Sequence, residues 1–200
     1  MLVMQSGLGF FKGCFMKYFF LIFFLFFYSC SLENANVIGP AGGFVFYDKG
    51  NYNDGWRYLE ASPKDIGEVS WGAIDVTGTS EGIGSGRQNT DLIIAQLNSA
   101  SLTRKAAQLC INYSLGGYQD WFLPSFDELA EMHKKLKVGF GGGASSTFKS
   151  NFYWSSTQTS AGTGVWGKNF KEKNEEDTGY KDSLELIKVD SYPVRAIRAF

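Results

Sequence analysis

Trp121-Phe122-Leu123-Pro124-Ser125-Phe126-Asp127-Glu128-Leu129 is the stretch on which the reading of the fold turns. Ser125 and Glu128 make an S-x-x-E capping box. The hydroxyl accepts from an otherwise orphan helix N–H, and the carboxylate reaches back to the cap residue's own N–H. Pro124 stops the extended segment before it, and a Ser cap contributes ~1 kcal/mol. Leu129, Met132 and Leu136 follow on one face at helical spacing. The pattern predicts a helix that begins after Ser125 and ends at Gly139-Phe140-Gly141-Gly142-Gly143. A second helical stretch precedes it, capped at Asn89 or Thr90. It runs through Leu92, Ile93, Leu97, Ala106, Leu109 and Cys110, with a break between Ser99 and Thr103.

Outside this helical centre the pattern is β. Residues 43–47 and 56–61 read as strands separated by the turn cluster 51–55. Residues 71–77 read as a third extended piece, and 78–89 as a flexible glycine-rich connection. After the helices come strands at 152–156, 165–170, 184–189 and 194–200, with the charged stretch 171–181 as a solvated hairpin loop. Strands, then helices, then strands predict an α+β fold, with two helices packed on an antiparallel sheet and long irregular loops. On the last strand Val194, Ala196, Arg198 and Phe200 share a face. A buried Arg198 needs a partner, and Glu128 or Asp127 at the helix start is the expected one.

The composition divides the chain. It has 200 residues, with 19 basic and 20 acidic side chains, one His and three Cys. The near-zero charge argues against a nucleic-acid partner, which calls for a basic face. One His and few Cys argue against a zinc cluster and against most histidine chemistry, and no cofactor or metal is expected. Nine of the 18 Phe fall in the first 30 residues, and Tyr18 to Tyr28 is an unbroken run of eleven apolar residues. A bilayer span needs ~20. The run has the length of a signal-peptide core, with Lys12 and Lys17 ahead of it. Residues 1–29 therefore read as a signal peptide, with Met16 as an alternative start. Without Lys12 and Lys17, 17 basic residues face 20 acidic ones. Cys110 is then the one thiol besides Cys30, and about 170 residues suffice for one self-supporting core.

The run ends at Ser29-Cys30, which resembles the bacterial lipobox. That resemblance implies that Cys30 is lipidated and becomes the mature N-terminus. Residues 30–41 are then a lipidated Cys and tether, and 42–200 the folded domain. Acyl chains gain ~0.8 kcal/mol per buried CH₂, so several on one Cys hold a domain firmly at a membrane. Plain secretion and a retained anchor stay open beside this reading.

Several motifs fail on their surroundings. Gly78-Thr79-Ser80-Glu81-Gly82 matches G-x-S-x-G, but a nucleophile elbow needs a strand before, a helix after and a His downstream. Here more glycine follows, and the only His is His133, beside Met132 in the capped helix. Residues 82–87 fit neither the dinucleotide nor the phosphate-loop glycine spacing. Residues 48–55 lack the alternate carboxylates and closing Glu of a calcium loop. Cys110, among apolar neighbours, reads as a small hydrophobe. Trp56, Trp71, Trp121, Trp154 and Trp166 serve equally as core or as contacts to sugars and proteins.

Three motifs in order carry a family resemblance. They are Trp121-Phe122-Leu123-Pro124-Ser125 with Glu128-Leu129, then Tyr153-Trp154-Ser155-Ser156-Thr157, then Val194-Arg195-Ala196-Ile197-Arg198. Over 38–200 the chain resembles the Lcl C-terminal domain family, which is similar to the C-type-lectin-like fold also used by formylglycine-generating enzymes. The resemblance implies a mixed domain whose first and last strands meet and whose irregular region presents a binding surface. It assigns Trp121, Pro124, Ser125, Glu128, Tyr153, Ser155, Ser156, Arg195 and Arg198 to a structural motif. Phe122 stands where the family carries Arg. Members include the tips of collagen-like adhesins that bind sulfated polysaccharides, but no Gly-X-Y stalk is present here. The calcium-dependent sugar tripeptides and the oxidase Cys pair are also absent.

The expectation is a lipid-anchored protein of the cell envelope, at the outer membrane or cell surface. Its C-type-lectin-like module would serve binding or adhesion toward a polysaccharide or protein ligand, without catalysis. An envelope enzyme on the same fold and a structural envelope protein are the alternatives. The binding surface is expected from 67–89, 138–151 and 158–182, with Trp71, Asn151, Trp154 and Trp166 as ligand-binding residues.

Overall fold

The computed structural model describes residues 37–138, 144–173 and 179–200. The leader, Met16, Cys30 and the first part of the tether lie outside the described residues. So do the glycine run at 139–143 and residues 174–178 of the charged loop. The elements are β1 (Phe44–Asp48), β2 (Tyr58–Ala61), β3 (Gly67–Ser70), α1 (Gly86–Ser99), α2 (Ala106–Ile111) and α3 (Phe126–Met132). A π-helical segment, His133–Val138, prolongs α3, and Ser145–Thr147 form a 3₁₀ turn. Then come β4 (Phe152–Gln158), β5 (Gly164–Asn169), β6 (Ser183–Ile187), β7 (Ser191–Val194) and β8 (Ile197–Ala199). The fold is α+β. In place of one sheet, the described residues form three antiparallel ones, ordered β1-β2-β8, β3-β7 and β4-β5-β6.

The capping box forms as the sequence requires. Ser125 Oγ accepts from Glu128 N at 3.3 Å, and Glu128 Oε2 accepts from Ser125 N at 2.7 Å. Leu129 and Met132 are buried on the face that α3 turns inward, and Leu136 is buried in the π-helical segment that follows. The break at Ser99 is also real, since α1 ends there and α2 begins at Ala106.

Sheet β4-β5-β6 divides two cores. Alternation along the strands sends Trp154, Val165 and Leu186 toward Trp71, Ile93, Leu97 and Trp121. It sends Tyr153 to the other side, toward Phe122, Leu129, Met132, Phe148 and Phe170. Gly167, in the middle of β5, leaves room for Leu186; a Cβ there would lie 2.2 Å from Leu186 Cδ1 and 3.1 Å from the Tyr153 carbonyl oxygen. Overpacking of this kind costs ~1–3 kcal/mol. Gly167→Ala is therefore expected to lower the urea midpoint with an unchanged slope, and an unshifted midpoint would count against the packing described.

Four local expectations are corrected. Asn89 and Thr90 do not cap α1, whose N-cap is Ser85. Both lie inside the helix, where their side chains find distant partners: Asn89 brackets the Ser80 backbone, and Thr90 Oγ1 accepts from Leu123 N at 3.0 Å. The third extended piece lies earlier, at Gly67–Ser70, because Trp71 turns into the core. The glycine-rich connection is clamped rather than loose. The Ser80 carbonyl accepts from Asn89, Ser85 and Thr157 side chains, and Gly86 already belongs to α1. Residues 194–200 are not one strand. The chain changes sheets at Arg195-Ala196, so Val194 and Ala196 join one core while Arg198 and Phe200 lie on the β1-β2-β8 sheet.

The end of the expected tether is part of the fold. Val37 O accepts from Val45 N, Ile38 bridges Phe44, and Ala41 is buried. Glu60, fully buried on β2, accepts from Ala41 N and Gly43 N. Strands β1 and β8 both flank β2, so the two ends of the described chain meet on one sheet. Among the described residues no helix is long and apolar enough to cross a membrane.

Candidate functional site

The four residues expected to touch a ligand do not gather on one surface. Trp71 and Trp154 are fully buried, and their indole N–H groups find partners inside: Ser155 O at 3.0 Å and Val69 O at 2.8 Å. Asn151 is half-buried and uses Oδ1 to accept from Phe152 N. Trp166 keeps a partly open ring, 5.9 Å from that of Phe126. Two of the three expected binding segments do meet, around Lys188. Its Nζ donates to Ile74 O, Gln158 Oε1 and Gly162 O at 2.7 Å each, which engages all three donors. Burial holds the Lys188 ammonium below its ordinary pKa.

The motif side chains bind the chain to itself. Trp121 is buried and its indole donates to Tyr118 O. The Pro124 carbonyl accepts from both N–H and hydroxyl of Ser156, and Ser155 Oγ donates to Trp166 O. Tyr153 donates to Asp65, which also receives Arg195. Glu128, fully buried, accepts from Ser125 N and from Gly84 N at 2.8 Å. Burial pushes its carboxyl up to about 7, against the pull of Ser125, Gly84 and Gly86.

Arg198 pairs with neither Glu128 nor Asp127. It lies opposite Glu60 in the β2–β8 register, and its Nη1 donates to Glu60 Oε1 at 2.9 Å. Its Nε donates to Asp120 Oδ1 at 2.5 Å. Cross-strand register chose this partner, while Glu128 is committed to the loop at Gly84. Burial works against the Arg198 charge, but Asp120 and Glu60 outweigh it and raise the pKa.

This pair underlies a row of side chains that the sequence did not single out. One face of sheet β1-β2-β8 packs Leu59, Ala61 and Ile197 into a core. The other carries Asp48, Tyr58 and Phe200, then Glu60 and Arg198. The Tyr58 and Phe200 rings stack with centroids 5.4 Å apart, and Tyr52 meets Tyr58 at 6.4 Å. The Arg57 guanidinium lies 4.9 Å over Tyr58, and Arg198 lies 3.9 Å over Tyr118. Tyr52 is 57% exposed; Tyr58, Tyr118 and Phe200 are half-buried. Arg57 donates twice to Asp48, at 2.7 and 2.9 Å, which holds the Asp48 carboxyl below its ordinary range. Beyond Tyr118, Arg87 donates to the Asp120 carbonyl and covers Phe122 at 4.7 Å.

The row joins an apolar ring surface to fixed polar groups, the composition that makes contact surfaces bind. The signal was present in the strands: Tyr58 alternates with Glu60, and Arg198 with Phe200. Which face lies open depends on what packs beneath, and that is set by distant chain.

Other chemistry finds less support. His133 sits edge-on to Phe170 with ring centroids 4.8 Å apart. Burial, with the Lys168 charge, lowers its pKa to about 4, so it is neutral at pH 7. Cys110 is buried, and burial pushes its thiol far up. Among the described residues no group of three or more His, Cys, Asp or Glu could hold a metal ion. No protein-family model matches the chain, and no curated protein matches it.

Proposed function

We propose that the chain is a cell-envelope lipoprotein whose folded part is a C-type-lectin-like binding module. Lipid at Cys30 tethers it to the outer membrane or cell surface, and the module engages a glycan or protein ligand. The observation that carries the binding role is the row of partly open rings Tyr52, Tyr58, Phe200 and Tyr118 on one sheet face, with the buried Arg198 guanidinium set among them. Rigid aromatic rings give large contact area at low entropy cost, and a stacked guanidinium fixes orientation. The C-type-lectin-like assignment draws on the three sequence motifs and on the first and last strands flanking β2.

Two measurements test the proposal. Metabolic acyl labelling with mass spectrometry should find a fatty-acylated Cys30 at the mature N-terminus; an intact leader without lipid would refute the anchor. Arrays of purified glycans and matrix proteins should bind the full-length protein. Tyr52→Ala and Tyr58→Ala should each weaken that binding about tenfold, the effect of losing a central aromatic contact. Equal binding by wild type and both variants would remove the face from consideration.

A further inference from the structure

The ligand class follows from how the charges on this face are already engaged. A sulfated or otherwise anionic chain is held by cations whose charge is not already matched by carboxylates, in charge-assisted and often bidentate bonds. Arg57 offers Nε and Nη2 to Asp48. Arg198 divides its donors between Glu60 and Asp120 while lying between Tyr118, at 3.9 Å, and Phe200, at 5.7 Å. The nearest further cations are engaged too: Lys49 Nζ donates to Asp54 at 2.9 Å, and Arg87 donates to the Asp120 carbonyl. With Lys49 and Arg87, four cations stand beside four carboxylates, those of Asp48, Asp54, Glu60 and Asp120, so the face carries no net charge. A polyanion would find no excess of cations and would have to break existing ion pairs.

What the face has to offer is different. Three ring surfaces lie in sequence, at Tyr52, Tyr58 and Phe200, with Tyr118 beyond the arginine. At the Tyr118 end Asp120 is 45% exposed at its side chain; Oδ1 takes Arg198, and Oδ2 has no partner among the described residues. Pyranose rings have one surface of C–H groups, which buries against an aromatic face, and a rim of hydroxyls, which donate to a fixed carboxylate oxygen. Resting on the binding reading above, we infer that the face takes a neutral glycan chain. Tyr52, the most exposed of the rings, packs against its sugars beside Tyr58 and Phe200, and Asp120 accepts from its hydroxyls.

The test uses full-length protein in detergent and isothermal titration at low and high salt. The probes are neutral hexasaccharides of glucose, galactose and N-acetylglucosamine, with heparin as the sulfated counterpart. A neutral chain should bind with little salt dependence, since no counterions are released. Tyr58→Ala and Asp120→Asn should weaken it, by about tenfold for the lost ring. Tyr52→Ala, at a position too exposed to disturb the fold, should weaken it without changing the thermal midpoint. If heparin binds best, with steep salt dependence and loss in the tyrosine variants, the face binds but the ligand class is wrong. If a neutral chain binds equally to wild type and variants, the face itself is wrong. Binding of no probe would overturn the neutral-glycan assignment.

Discussion

Arg195→Met is expected to cost about 3–5 kcal/mol of folding stability, the range for removing one partner of a buried ion pair. Arg195 is 1% exposed. Its Nε donates to Asp65 Oδ1 at 2.9 Å, and Nη2 lies 2.7 Å from the same oxygen. Nη1 donates to Ser62 O and to Thr147 Oγ1, and Nη2 to Thr147 O at 2.7 Å. The guanidinium plane lies 3.9 Å over Phe148. One side chain thus ties the segment after β2 to the 3₁₀ turn from the point where the chain changes sheets. Met fills most of the volume, so the cavity penalty is small. What remains is a poorly solvated Asp65 carboxylate and two carbonyls without partners, each worth about 1–3 kcal/mol. Tyr153 still donates to Asp65 but supplies no charge. Urea unfolding of wild type and Arg195→Met measures the loss. Asp65→Leu combined with Arg195→Met should recover part of it, because no unpaired charge then remains. A single-variant loss under about 1 kcal/mol would mean that water reaches the cluster.

The parts of the fold legible in the sequence are those whose causes are local. Ser125 and Glu128 are three residues apart and cap each other, and Leu129, Met132 and Leu136 are placed by helical geometry alone. What stayed hidden was decided across long separations. Asn89 and Thr90 have the side chains of helix caps, yet the same atoms serve Ser80 and Leu123 instead. Arg198 showed that it would need a carboxylate; which one depended on a register joining β2 to β8 across more than a hundred residues. Trp71 and Trp154 show the ambiguity of large aromatics, since both suit a ligand surface and both are core. The aromatic row was half legible. Parity put Arg198 and Phe200 together, but Tyr52 looked like a turn residue, and Tyr118 reaches the row only because its loop folds over Arg198.

Glu128 governs the other large effect, and it carries a pH dependence. Its carboxylate joins the start of α3 to the loop before α1 by accepting from Ser125 N and Gly84 N, with Gly86 N also directed at it. Gly86 has no room for a side chain there; a Cβ would lie 2.2 Å from Glu128 Oε2. Glu128→Ala orphans these buried N–H groups and is expected to cost about 3 kcal/mol or more at every pH. Glu128→Gln keeps an acceptor but has no proton to bind. Burial raises the native carboxyl from its ordinary value of 4.5 to about 7. Between those values the native state holds a proton that the unfolded chain has released. Stability from this group is therefore full below 4.5 and declines as the pH rises toward 7, by about 3 kcal/mol in all. His133 runs the opposite way: its pKa falls from 6.5 to about 4, so its contribution is lost as the pH falls through that window. The difference between wild type and Glu128→Gln cancels His133 and isolates Glu128. That difference, from urea unfolding at about pH 5 and about pH 8, should favour wild type more at the lower pH. A difference that does not move with pH would show that the three N–H groups outweigh burial and keep Glu128 ionised throughout.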